Sequence, residues 1–161
     1  MFWNKMAFFG VAAVMATAVI PAAAQNSTTS AMGGGVVNVS GEGQWTFNIQ
    51  AVKITRGATS TSSGRIVLYR SDNNLVQTSA AITKLEWFGA NMCCASGSLT
   101  YNHTPAKIEF FVSKESNQSS ASWRITRRSD NVVLYSTGMN ALNALAQNPL
   151  IYGSVTLNAP R

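Results

Sequence analysis

The residues of this 161-residue chain that could do chemistry are few: Cys93 and Cys94, His103, six carboxylates and a short basic run at Arg124, Arg127 and Arg128. A thiolate nucleophile needs a nearby base. His103 is the sole histidine, so a secreted hydrolase or redox protein would have to combine it with Cys93 or Cys94. Neither a nucleophile elbow nor a cysteine-protease signature surrounds these residues. A glycosidase needs two carboxylates flanking one bond, and only Glu86 with Glu109 merits consideration, because Asp72 and Asp130 sit in turn sequences. No phosphate loop, dinucleotide fingerprint, zinc-protease helix or calcium loop occurs, and no CxxC or Cys/His cluster supports zinc. The sequence therefore assigns no catalytic residue, no cofactor and no metal, and the expectation is a non-enzymatic protein.

Adjacent cysteines cannot staple distant segments. Neighbouring side chains on a strand point to opposite faces, which predicts one thiol in the core and one outside. A strained, easily reduced vicinal pair between Cys93 and Cys94 and an intermolecular bridge are the alternatives.

Binding chemistry is more plausible than catalysis. Trp87 and Phe88 are adjacent on a predicted strand, so one of them faces outward. Tyr101 lies beside a polar loop. The candidate ligand-binding set is therefore Trp87 and Tyr101 for stacking on a sugar, with Arg124 and Arg127 for charge. A polysaccharide or another polyanion suits a modestly basic surface, while the scattered remaining basic residues argue against nucleic acid. Trp45, Phe47, Phe110 and Trp123 fall at inward-alternating positions and predict core packing.

The elements that must position these residues begin after an export signal. Lys5 precedes an apolar run from Met6 to Ile20, then Pro21 and Ala22-Ala23-Ala24. That is the order of a cleavable signal peptide, and the run is too short to span a bilayer. Cleavage near Ala24 predicts a secreted, periplasmic or cell-surface protein without a transmembrane segment, and the Ala-rich signal leans bacterial. Residues 1–24 carry one Lys and no acid, so the chain's net charge of +6 becomes +5 on their removal.

Residues 25–35 (QNSTTSAMGGG) read as a flexible leader, with residues 36–161 as a single β-domain. If free, that leader could complement an edge strand of a neighbouring copy, the basis for a self-assembling subunit. Period-two alternation then recurs. Trp45, Phe47, Ile49 and Ala51 share one face, as do Ile66 with Leu68, Ile108 with Phe110 and Val112, and Trp123 with Ile125. Residues 56–64, 71–74 and 115–120 are loops by composition, Leu75 to Thr78 and Ala81 to Phe88 read as separate strands, and Gly138 to Gln147 is the one place for a short helix. About 8–9 short strands with polar turns predict an all-β fold, an antiparallel β-sandwich or flattened barrel, preceded by the signal-peptide helix.

The order of these segments resembles a family of small secreted bacterial β-domains termed post-COAP-1-like. The resemblance rests on Gly41-Glu42-Gly43 leading into WTFNIQA and on AITKLEWFGANMCCASGSLTYN. It continues through KIEFFVS, SWRITRRSDNVVLYSTG and the final GSVTL, and covers about residues 36–157. It implies a β-sandwich and carries no activity. Members often place Asp after the strand matching KIEFFVS and before that matching SWRIT; here Ser113-Lys114 and Ser120-Ala121 stand there instead. Together these features predict an exported non-enzymatic β-domain, a binding or structural module of the envelope or its surroundings.

Overall fold

The computed structural model describes residues 26–70, 76–137 and 148–160. The signal peptide, the turn around Asp72 and the candidate helix at 138–147 lie outside them. Among the described residues nine antiparallel strands follow one another: β1 (Ser27–Val39), β2 (Gly43–Arg56), β3 (Thr59–Arg70), β4 (Val76–Trp87), β5 (Met92–Tyr101), β6 (Thr104–Glu115), β7 (Gln118–Arg127), β8 (Val133–Ser136) and β9 (Asn148–Asn158).

Local chemistry makes the hairpins. Arg56 pairs with Thr59, leaving Gly57-Ala58 as a two-residue turn with Gly57 at φ 60°. Tyr101 pairs with Thr104 around Asn102 and His103, at φ 47° and 61°. Glu115 pairs with Gln118 around Ser116, at φ 49°. Two-residue turns with positive φ match the twist of paired strands. The regions 56–64 and 115–120 are therefore mostly strand. Most of their Ser and Thr residues lie on exposed hairpin strands, with Ser119 buried, and composition alone mimics a loop.

Meander pairing joins β1 through β7 in sequence, and β9 lies between β1 and β7, so one sheet closes on itself as a barrel. β8 adds to the upper edge of β7, beside Arg124 to Thr126, while β9 meets that edge lower down, at Ser120 and Ala121. A single closed sheet decides between the barrel and the two-sheet sandwich. Eight strands have 10 to 14 residues, longer than the short strands expected. One reason is that β4 runs unbroken from 76 to 87, absorbing Thr83 as a bulge where two separate strands were expected.

The largest correction concerns the leader. Residues 27–39 form β1, hydrogen-bonded to β2 on one side and β9 on the other. The segment completes its own barrel, with Ser30 to Val37 paired on both sides. Glycine makes this possible: a Cβ on Gly35 would lie 2.5 Å from the Tyr152 carbonyl oxygen, and one on Gly153 (φ 95°) would collide with the Gly34 carbonyl.

Inward positions are filled. Phe47 lies 5.1 Å from Phe110, Phe110 stacks on Trp123 at 5.6 Å, and Trp123 meets Trp45 edge-on at 5.6 Å between centroids. Ile49, Ile66, Leu68, Leu85, Ile108 and Ile125 fill the space around them, all fully buried. The buried indole N–H groups of Trp45 and Trp123 have no hydrogen-bond partner among the described residues, so ring contact holds this layer. Thr46, Asn48 and Gln50 alternate outward and are exposed. No helix among the described residues is long and apolar enough to cross a membrane.

Gly153→Ala is expected to destabilise the barrel by about 2–5 kcal/mol, from backbone strain plus overpacking. Gly41→Ala, at positive φ in open space, should cost only about 1–2 kcal/mol. Urea unfolding of both variants checks the ranking; equal costs would mean that close approach is not what requires Gly153.

Candidate functional site

Cross-strand register gathers polar side chains on the outer wall of β4 to β7. Lys107 lies opposite Thr126 and beside Ser98, while Glu109 lies opposite Arg124 and beside Ser96. Arg128 extends the β7 pairing by one step, its backbone N–H donating to the Pro105 carbonyl at 3.1 Å. These residues line a groove of about 500 Å³ that Thr83 and Val133 bound on either side. Bulges sit at both margins, one at Thr83 in β4 and one at Leu134 in β8. A bulge bends its strand and re-aims side chains, and two of them flanking the same strands shape the depression.

The groove's electrostatics follow from its pairs. Arg124 Nε donates to Glu109 Oε2 at 2.9 Å, and Nη2 of the same guanidinium contacts that oxygen as well. The pair is half-exposed. Lys107 and Arg128 are exposed and bring the positive excess. Alternation in KIEFFVS puts Lys107 and Glu109 on the outer face, but only the register places them beside Arg124.

The basic run divides. Arg127 sits on the opposite parity of β7 from Arg124, paired with Ala106 at the barrel rim, and its Nη1 donates to Asp130 Oδ2 at 3.0 Å. Asp130 also caps its own turn, accepting from the Val132 N–H at 3.2 Å. Arg127 therefore does not join the groove.

Trp87 and Tyr101 do not come together. Trp87 packs on the core at one end of the barrel, where its Nε1 donates to Thr29 Oγ1 at 3.0 Å. Phe88 is the outward member of that dipeptide, half-exposed and 5.9 Å from Phe111. Tyr101 belongs to the opposite end, 6.4 Å from Tyr135, whose ring is 5.2 Å from Trp45. There the Arg70 guanidinium lies 5.8 Å from the Trp45 ring centroid, with Glu42 Oε2 3.7 Å from Arg70 Nη1. Burial raises the Tyr135 phenol far above its usual range, and the adjacent Glu42 carboxylate adds to it. Burial likewise raises Tyr101. Trp87 and Tyr101 plug the two ends of a filled barrel instead of forming a stacking platform.

Cys93 faces the core and Cys94 the outer wall, as alternation requires, yet both are buried and free. The outer thiol is covered because β4 and β6 flank it, with Glu86 and Phe111 as its cross-strand neighbours. Its Sγ lies 3.7 Å from Ser96 Oγ. Burial pushes the Cys93 thiol up to about 12 and the Cys94 thiol up to about 11, the opposite of what a reactive thiolate needs. His103 is exposed in the β5–β6 turn, more than about 20 Å along the strand from Cys94. Hydrogen-bond reach between base and nucleophile is absent. Glu86 pairs with Lys84 at 2.8 Å, as Glu109 does with Arg124, so both carboxylates hold cations. Among the described residues no three His, Cys, Asp or Glu side chains group to hold a metal ion. No family model, curated protein or solved structure matches the chain.

The thiols give a pH prediction. Unfolded thiols ionise near 9.0, whereas the folded ones stay protonated to about 11 and about 12. Their contribution is complete below pH 9 and is lost as pH rises through about 11. Urea midpoints should fall from pH 8.5 to pH 10.5, and fall less steeply in the double variant Cys93→Ala/Cys94→Ala; identical slopes would remove the thiols as the cause.

Proposed function

We propose that this chain is an exported, non-enzymatic binding module that works through the outer wall of its barrel. One observation carries the reading: the interior is packed with aromatic and aliphatic side chains, while the broad groove outside is lined by hydroxyls and charges. Small barrels that carry ligands inside need an empty lumen or mouth, and here aromatics occupy both. The buried thiols, the distant histidine and the paired carboxylates support a non-enzymatic role. The apolar run, Pro21 and the alanine triplet support export.

Nile red, an uncharged apolar dye, is expected to show no saturable fluorescence gain with the native protein; saturable binding with quenching of tryptophan emission would overturn the outer-wall reading. Dithionitrobenzoate should leave both thiols unmodified in the native state and label two in denaturant, and fast native labelling would restore a redox role. Expression of the full chain in a bacterium should yield a product beginning at Gln25 outside the cytoplasm, identified by mass spectrometry. An intact cytoplasmic chain would remove the export assignment.

A further inference from the structure

We infer that the outer groove is a site for an acidic polysaccharide, with Lys107 and Arg128 as its anionic-group anchors and Glu109 as the residue that sets its selectivity. The inference rests on the outer-wall reading and names the ligand class of that same groove.

Three features point to this ligand. First, the cations are spaced for a chain and not for a single ion. Arg128, one residue beyond β7, is four residues from Arg124, about 13 Å at strand rise, and Lys107 lies on the neighbouring strand diagonally between them. A row of charges that long matches a polymer bearing carboxylate or sulfate groups on successive sugars. Second, hydroxyls accompany the charges: Ser96, Ser98, Thr83 and Thr126 line the same groove and offer both donors and acceptors to sugar hydroxyls. A bare basic patch for a lipid surface would not need them. Third, the inward Ile108 and Ile125 between these outer residues are fully buried, so the strand positions from which the groove side chains project are fixed before a ligand arrives.

Glu109 gives the site its character. Its carboxylate occupies Arg124, so an incoming anionic group meets Lys107 and Arg128 directly and Arg124 only in competition with Glu109. The groove thus favours polymers of moderate charge density over the densest polyanions, because each further anionic group approaching Arg124 also approaches Glu109.

The test is affinity for hyaluronan, a polysaccharide with one carboxylate per disaccharide, as a function of salt. Lys107→Ala and Arg128→Ala should each weaken binding about two- to five-fold, the size of one exposed ion pair, and lower the log–log salt slope by about one. Glu109→Gln should tighten binding by a similar factor. Lys53→Ala and Lys114→Ala, which remove cations at the other end of the barrel, should have no effect. Retained unfolding midpoints certify each variant as folded. Equal losses for Lys53→Ala and Lys107→Ala, an unchanged affinity for Glu109→Gln, or equally tight binding of duplex DNA would overturn the site as mere net-charge attraction. A chain that ignores hyaluronan but binds neutral dextran, and loses it on Ser98→Trp, would overturn the ligand class and leave the outer-wall reading standing.

Discussion

Where β6 meets β7, Phe110 lies opposite Trp123 and Ile108 opposite Ile125, and this pairing turns an open sheet into a barrel. Without it, β6 and β7 would be two exposed edges of a long meander, and the inner faces of β2 and β6 would have nothing to oppose. With it, Phe47 reaches Phe110 and Trp45 reaches Trp123 across the interior. Closure removes the edges that a sheet must otherwise protect. It also removes the lumen, because large aromatics from β2, β6 and β7 converge on the same space.

The same pairing fixes the outside. Side chains alternate with period two, so any register that buries Ile108, Phe110 and Ile125 also projects Lys107, Glu109 and Arg124 outward together. A slip of one residue would expose the core and bury the charges, so the stability of the interior enforces the arrangement of the groove. Cys93 and Cys94 obey the same rule. Their opposed directions leave no long-range covalent staple, and the fold is held by sheet pairing and packing.

The ends of the barrel show how packing overrode a plausible reading of single residues. Trp87, beside Phe88 on one strand, and Tyr101, beside a polar loop, read as candidates for stacking on a sugar. In the fold they are about as far apart as the barrel allows, each turned toward the core. The Arg70–Glu42 pair over Trp45 finishes one end, and the Trp87–Thr29 hydrogen bond finishes the other. Both join residues far apart in the chain, with no local signature.

Much of the fold was legible from alternation alone. The inward aromatics, the all-β class and the strands at Trp45, Ile66, Ile108 and Trp123 depend on neighbours two residues away, and local sterics carry that information. Serine- and threonine-rich strands hid as loops at 59–64, and the triple glycine hid β1 as a leader, because strand formation there depends on partners that composition does not reveal. Lys107 and Glu109 were identifiable as outward residues but not as neighbours of Arg124. The sequence by itself determined which side chains face in and which face out, since that follows from backbone geometry within a single strand. Only the tertiary structure decided that the sheet closes, which ends it plugs and which charges share a groove, because these depend on hydrogen bonds between strands far apart in the chain.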